Sequence, residues 1–265
     1  MRWSGLRLSV TLLTVIPVRG PEPRSAVAAE PLGATAAAAM AWAPAVGLLV
    51  GGFAATVLVT ADRLLGAGPL TAAGLAVAAL ALMTRGLHLD GLADLADGLG
   101  SGKPAAIALD IMRRSDIGPF GIVTLVLTLV IQAGALAHAE AAGGFRGPAA
   151  LILAAVTGRL ALAWACRRGV PAARREGLGA LVAGTVRPAV AAGLTLAVLA
   201  AAVWACVAGW GFTLPLAVVA GLAAAFGLQR HAVRRLGGIT GDVLGALIET
   251  AATVTLVVAA MGPRA

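Results

Sequence analysis

Three aspartates stand close together in an otherwise apolar stretch, GLHLDGLADLADGLGSG, at residues 86–102. Asp90, Asp94 and Asp97 have the spacing i, i+4 and i+7, which places all three on one stripe of a helix. No Lys or Arg lies between Asp90 and Gly100 to neutralise these like charges. A bound cation would do so, and carboxylate oxygens are ligands that Mg²⁺ or Mn²⁺ prefers. The alternative is an acidic helix face exposed to water beside a membrane.

Two neighbouring segments carry side chains that could act with this aspartate stripe. His88 precedes it by two residues and could bind metal or transfer a proton, the alternative being a hydrogen-bonded structural histidine. In DIMRRSDIGPFG, residues 110–121, Asp116 could supply another metal ligand. Three side chains of the same segment are suited to contacting phosphate: Arg113, Arg114 and Ser115. Anchoring at the membrane edge would also explain the arginines.

A third polar segment, RRLGGITGDVLGALIE, occupies residues 234–249. Thr240 could contact substrate or cap the helix that follows, and Asp242, in the first turn of that helix, could bind the metal. The amides of Gly238 and Gly241 could meet phosphate oxygens. Capping alone would also account for Thr240 and Asp242. A pyrophosphate and its metal need ligands from more than one side, so we expect Asp242 to lie against the aspartate stripe.

The composition shows which elements must position these residues. Of 265 residues, 60% are hydrophobic and 12% charged, and the mean hydropathy is +0.94. Apolar stretches reach the ~20 residues that a membrane-crossing helix needs. We therefore predict an all-α, polytopic integral membrane bundle of about five to seven transmembrane helices, forming one domain over residues 1–265. The predicted spans are 35–60, 69–84, 118–139, 147–166, 188–208, 212–228 and 243–261.

The basic residues predict how the chain is oriented in the membrane. The N-terminus and the loops near 85–117, 167–187 and 229–242 carry 16 of the 20 Lys and Arg residues. The other side has Arg63, Arg146 and Arg264, and Arg159 lies within a span. By the positive-inside rule the basic side is cytoplasmic, which places the aspartates at cytoplasmic helix ends. This also explains much of the +8 net charge, so we expect no nucleic acid partner.

The N-terminus and the cysteines suggest no further chemistry. The first 28 residues resemble a signal peptide, but Pro17 and the charged RGPEPR at 19–24 favour a retained interfacial or re-entrant helix. Cys166 and Cys206 lie in apolar segments without a neighbouring His or a CxxC pair, so neither a disulfide nor a thiolate metal site is indicated.

Three motifs together resemble those of the cobalamin synthase family, the adenosylcobinamide-GDP ribazoletransferases. They are GLHLDGLADLADGL at 86–99, IMRRSDIGPFG at 111–121 and GGITGDVLGA at 237–246, in the family's order and spacing. The opening LLTVIPV at 12–18 is similar too, so the resemblance covers essentially the whole chain. One departure is that Asp116 follows Ser115, whereas the family's acid precedes the serine.

The resemblance implies a Mg²⁺-dependent transferase that joins adenosylcobinamide-GDP to α-ribazole, or its 5′-phosphate, and releases GMP. The product is adenosylcobalamin or its phosphate, in the last steps of nucleotide loop assembly of vitamin B12. Asp90, Asp94 and Asp97 would hold one or two metal ions while a ribazole hydroxyl attacks phosphorus. The resemblance also implies a multi-pass protein of the cell inner membrane, in contact with lipid and with other nucleotide-loop assembly enzymes.

Two other functions fit parts of the pattern. A CDP-alcohol phosphatidyltransferase also uses several aspartates on membrane helices, but its DGxxAR motif is absent because Asp90 and Gly91 are followed by LADL. A transporter would use buried Asp, Glu249 and Arg159 as an ion pathway. Against it, the acids concentrate at one membrane face and no inverted repeat is apparent.

Overall fold

The computed structural model describes residues 2–18 and 32–261 of the protein. Within these ranges the regular structure is helical, with two isolated β-bridges and no strands. The helices in chain order are α1 (Arg2–Leu13), α2 (Leu32–Val59), α3 (Pro69–Met83), α4 (Leu87–Gly100), α5 (Ala105–Ile111), α6 (Pro119–Ala141), α7 (Arg146–Ala165), α8 (Leu178–Val182), α9 (Pro188–Val207), α10 (Leu214–Leu236) and α11 (Gly241–Ala260). A π-helical turn, Thr60–Leu64, extends α2.

Six helices of the described chain are long and apolar enough to cross a membrane: α2 with its π turn, α6, α7, α9, α10 and α11. Helices α3 and α4 pass the same test together but are bent by 88° at the break between them, and they would make a seventh span. The prediction of an all-α membrane bundle with five to seven crossings is thus confirmed. Most of α6 and α9 is unburied, as expected of helices that face lipid.

One predicted boundary is wrong. The span expected at 212–228 is the 23-residue helix α10, which continues to Leu236, so most of the predicted loop 229–242 is helical. The end of α10 is amphipathic: Arg230 and Arg234 are exposed, whereas Gln229 and Ala232 are buried. Hydropathy falls there because one face meets water, while the other face still packs against the protein.

Helices α7 and α11 form the centre of the bundle. Most residues of α7 are buried, and it packs against α2, α6, α9, α10 and α11. Helix α11 packs against α4, α6 and α10 as well as α7. The start of α11 carries Asp242, so the central packing also fixes the position of this carboxylate.

A tight turn between α3 and α4 changes the direction of the chain by 88°. Arg85 and Gly86 both have left-handed backbone conformations, with φ of 55° and 68°. The Gly86 amide donates to the Ala81 carbonyl (2.8 Å) and the Leu87 amide donates to the Thr84 carbonyl (3.1 Å). After this turn α4, which carries the acidic stripe, packs against α11 and α6.

The long connections predicted to share one side of the membrane do meet at one end. The Arg174 guanidinium donates to the carbonyl of Leu109 (2.6 Å), and that of Arg235 donates to the carbonyl of Lys103 (3.2 Å). An isolated parallel bridge joins Ala172 to Ile239. These contacts confirm that residues from 85–117, 167–187 and 229–242 share a face of the bundle.

The opposite end is closed by an ion pair. Arg63 in the π turn lies 2.8 Å from Glu140 at the end of α6, and it also donates to the Gly144 carbonyl (2.6 Å). Arg63 was predicted to lie on this side. The RGPEPR segment and Arg264 lie outside the described residues.

The N-terminal helix expected from the sequence is present as α1. It packs against α2, and the Val15 amide that follows it donates to the Met83 carbonyl at the end of α3 (2.8 Å). The LLTVIPV segment is thereby tied to the turn that precedes α4.

Candidate active site

Helices α4 and α11 cross in close contact where their acidic residues stand. A Cβ atom at Gly91 would lie 2.8 Å from the carbonyl oxygen of Asp242 and 2.9 Å from its Cα, so this crossing requires glycine. One turn further along α11, Gly245 lies against the backbone of His88. The expected contact between Asp242 and the aspartate stripe is therefore confirmed.

The crossing concentrates negative charge. Asp94 is half-buried and experiences repulsion from the carboxylates of Asp90, Asp242 and Asp97, which Arg174 partly offsets. Such an arrangement is unfavourable unless a further cation binds. Asp94 therefore interacts electrostatically with the other three aspartates, and the binding of a metal by these residues stays a prediction.

The carboxylate oxygens of this cluster are suited to Mg²⁺, although they do not enclose a metal site by themselves. In the part of the chain that the structure describes, no three His, Cys, Asp or Glu side chains are grouped closely enough to hold a metal ion by themselves. Mg²⁺ usually takes one or two carboxylates and completes its shell with water and substrate phosphates. The oxygen-only ligands and unbalanced charge of this cluster match that pattern.

Asp242 is held by Thr240 and faces Arg174. The Thr240 hydroxyl accepts a hydrogen bond from the Val243 amide (3.2 Å) and donates one to Asp242 Oδ2 (3.1 Å). Thr240 is thus the helix cap that the sequence suggested. Arg174 Nη1 lies 3.7 Å from the same Oδ2, while its Nε is buried and has no hydrogen-bond partner among the described residues. Sequence reasoning missed Arg174, because a loop arginine resembles any other topology determinant.

Asp97 has a structural function that the stripe pattern did not reveal. Its side chain is buried and accepts hydrogen bonds from the amides of Gly118 (2.7 Å) and Gly121 (2.9 Å) at the start of α6. A Cβ at either glycine would clash with this carboxylate. Asp97 therefore joins α4 to α6. Each of its oxygens keeps a second lone pair, so metal binding by Asp97 stays a prediction.

A polar cleft opens between α4 and the start of α6. Its lining residues are Asp94, Asp97, Ser101, Ile111, Arg114, Asp116, Gly118, Pro119 and Phe120. The structure thus brings Arg114 and Asp116 to the stripe. Arg113 and Ser115 are exposed and do not line this cleft. Their binding of substrate stays a prediction.

An apolar cleft lies at the crossing of α4 and α11. Its lining residues are Leu12, Leu13, Met40, Leu87, His88, Asp90, Leu162, Leu178, Gly241, Asp242, Leu244, Gly245 and Ile248. Asp90 and Asp242 are the carboxylates of this cleft, and Gly241 also lines it, as its predicted contact with substrate requires.

Gly238 is placed by packing. The Ile239 amide donates to the Pro171 carbonyl (2.9 Å) and the Ala173 amide to the Ile239 carbonyl (3.0 Å), which brings Gly238 against the Pro171 and Ala173 backbone. A side chain at Gly238 would collide with that backbone. This contact explains the glycine, and its predicted role in phosphate binding stays a prediction.

His88 faces a polar network inside the bundle. Its Nδ1 lies 3.5 Å from Arg159 Nη2 and 3.9 Å from Glu249 Oε1. Gln132 donates to Glu249 Oε2 (3.0 Å), so α4, α6, α7 and α11 all contribute to this network. Buried charges within a membrane need such partners. His88 also lines the apolar cleft, and catalysis by His88 stays a prediction.

Comparison with known proteins places these residues in a family. A family model described as cobalamin-5-phosphate synthase matches residues 5–260. Relatives named adenosylcobinamide-GDP ribazoletransferase occur in Frankia casuarinae (46% identity; 96% of this chain and 94% of the relative), Nocardioides (40%; 94% and 95%) and Bradyrhizobium diazoefficiens (39%; 96% and 92%). No solved structure matches the chain. The match covers α4, α6 and α11 with all their acidic residues, and the chain belongs to the cobalamin-5-phosphate synthase family.

Proposed function

We propose that this protein is an adenosylcobinamide-GDP ribazoletransferase that uses α-ribazole or its 5′-phosphate as acceptor. The observation that carries the proposal is the crossing of α4 and α11, which assembles Asp90, Asp94 and Asp242 beside Arg174. A pyrophosphate substrate is negatively charged. A cation held by these carboxylates and the neighbouring guanidinium would both neutralise it. Family membership and the names of the relatives support the same activity.

The reaction is a displacement at phosphorus. The oxygen of a ribazole hydroxyl forms a bond to the phosphorus on the cobinamide side, and the bond from that phosphorus to the GMP oxygen breaks. The electron pair of the broken bond leaves with GMP. Asp90 and Asp242 are the carboxylates of the apolar cleft, and one of them accepts the hydroxyl proton.

Positive groups of the chain neutralise the phosphates. Arg114 in the polar cleft and Arg174 beside Asp242 can each donate charged hydrogen bonds to phosphate oxygens. One or two of the carboxylates of Asp90, Asp94 and Asp242 would hold Mg²⁺ together with substrate oxygens, and the ion would supply charge that offsets the negative charge developing on GMP. Asp97 fixes the start of α6 and thereby one wall of the polar cleft.

We further propose that the site faces the cytoplasm from the cell membrane. The end of the bundle that carries the aspartates also carries most of the basic residues, as cytoplasmic ends do. Polar nucleotide substrates would then reach the carboxylates from water without crossing the membrane.

The proposal is tested by an assay on the purified protein in detergent. GMP release is measured after adding adenosylcobinamide-GDP with α-ribazole, each alone, and both without Mg²⁺. We expect release only with both substrates and the metal. A transporter would require a sealed compartment, so turnover in detergent argues against that alternative. Absence of GMP release from a folded preparation would refute the proposal.

A further inference from the structure

The two clefts reach the aspartates from different ends of α4. Asp94 and Asp97 line the polar cleft, whereas Asp90 and Asp242 line the apolar cleft. Asp90 and Asp97 are seven residues apart, which corresponds to about 10 Å along a helix axis. The two clefts thus meet the aspartate stripe at successive positions along α4.

The walls of the two clefts differ in chemistry. Eight large apolar side chains line the apolar cleft, namely Leu12, Leu13, Met40, Leu87, Leu162, Leu178, Leu244 and Ile248. Its polar side chains are His88, Asp90 and Asp242. A ligand with many hydrogen-bonding groups would leave them unpaired against these walls, at a cost of roughly 1–3 kcal/mol each. The cleft therefore selects a largely apolar group that is polar at one edge.

We infer that the apolar cleft binds the aromatic base of the nucleoside acceptor, with the ribose hydroxyls at Asp90 and Asp242. This inference rests on the proposed function. The benzimidazole base of ribazole is flat and almost without hydrogen-bonding groups, so it suits the leucine walls. Guanine and the amide-bearing corrin ring do not, because their polar groups would be unpaired there. The polar cleft, with Arg114, takes the phosphates and guanosine of the donor.

The division suits the geometry of the reaction. In phosphoryl transfer the attacking and leaving oxygens lie roughly in line on opposite sides of the phosphorus. An acceptor in the apolar cleft and a GMP leaving group in the polar cleft would reach the aspartate stripe at different positions along α4. The hydroxyl that attacks then lies beside the carboxylates that accept its proton.

This assignment gives the N-terminal segment a function. Leu12 and Leu13, at the end of α1, line the apolar cleft. The Val15 amide donates a hydrogen bond to the Met83 carbonyl at the end of α3. The LLTVIPV segment would thus shape the acceptor site, although it contributes no charged group to it.

The test fills each cleft separately. Leu178 is half-buried at the start of α8, and Leu178→Trp would occupy the apolar cleft. Ile111→Trp would occupy the polar cleft, and Leu196→Trp on the lipid-facing side of α9 is the matched control. We expect Leu178→Trp to raise the KM for α-ribazole about tenfold or more while the KM for adenosylcobinamide-GDP changes little. Ile111→Trp should show the reverse, and Leu196→Trp should resemble wild type.

A binding measurement accompanies the kinetics. Calorimetric titration of the wild-type protein with α-ribazole alone should show binding that Leu178→Trp weakens and Ile111→Trp leaves unchanged. If Leu178→Trp does not fold, Leu87→Trp fills the same cleft from an exposed position on α4. An active wild type in which the apolar-cleft variant raises the KM for the donor instead would refute this inference alone. A wild type without GMP release would refute the proposed function and, with it, the inference.

Discussion

The acidic residues of the site fall into two classes by their contacts. Asp97 is buried and hydrogen-bonded to two backbone amides of α6, so its charge is balanced by the start of a helix. Asp94 is half-buried among other carboxylates, with Arg174 as a partial counter-charge. A residue placed like Asp97 serves the fold, whereas one placed like Asp94 lacks a structural reason for its charge.

Replacement of Asp94 by Asn tests whether the charge of Asp94 is needed for turnover. The change keeps size and hydrogen bonding but removes one charge from the cluster, so turnover should fall by about 100-fold or more while the protein still inserts and purifies. GMP release over a range of Mg²⁺ concentrations is the measurement. Asp62→Asn, at the opposite end of the bundle, should be almost silent. Near-normal turnover of Asp94→Asn at limiting Mg²⁺ would contradict the assignment.

Asp97→Ala tests whether the hydrogen bonds from Asp97 to the start of α6 stabilise the protein. Loss of the carboxylate leaves the Gly118 and Gly121 amides without their acceptor, at a cost of about 1–3 kcal/mol. The Tm in detergent should drop by several degrees, whereas Asp94→Asn should leave the Tm close to that of wild type. An unchanged Tm for Asp97→Ala would show that the bonds to α6 do not stabilise the protein.

At the scale of elements, the sequence predicts helices better than it predicts their contacts. Apolar length gave the spans, and the i, i+4, i+7 spacing correctly placed Asp90, Asp94 and Asp97 on one helix. The partners of Asp97 lie 21 and 24 residues away in the sequence, and only the packing of α6 against α4 brings them within hydrogen-bond distance of it. Arg174 was missed for the same reason, since its neighbours Leu109 and Asp242 are far from it in sequence.

The contact between α4 and α11 is tested by adding one methyl group. Gly91→Ala would push a Cβ into the Asp242 backbone, so the helices must separate and the carboxylates move apart. Since small misplacements in an active site are costly, turnover should fall by about tenfold or more. Gly74→Ala on α3, where a Cβ meets no neighbour, is the control and should keep full activity. Equal activities of both variants would mean that the crossing tolerates displacement.

For the whole molecule, the two ends differ in charge and can be distinguished by chemical labelling. Cys206→Ala removes the half-buried thiol, and the native Cys166 is buried. In that background Lys103→Cys should react with a membrane-impermeant reagent only after cells are opened, whereas Ala141→Cys should react in intact cells. Both positions are exposed. The opposite labelling pattern would invert the proposed orientation.

The left-handed conformation of Arg85 offers an opening for protein engineering. Among the described residues other than glycine, Arg85 alone has a positive φ, a conformation that is unfavourable for a side chain with a Cβ. Arg85→Gly should therefore raise the Tm, by a few degrees at most, without touching either cleft, and thermal unfolding in detergent would measure the gain. The substitution removes one of 16 basic residues on its side, too few to reverse insertion. A thermostabilised variant of this kind would survive purification longer and help experimental structure determination.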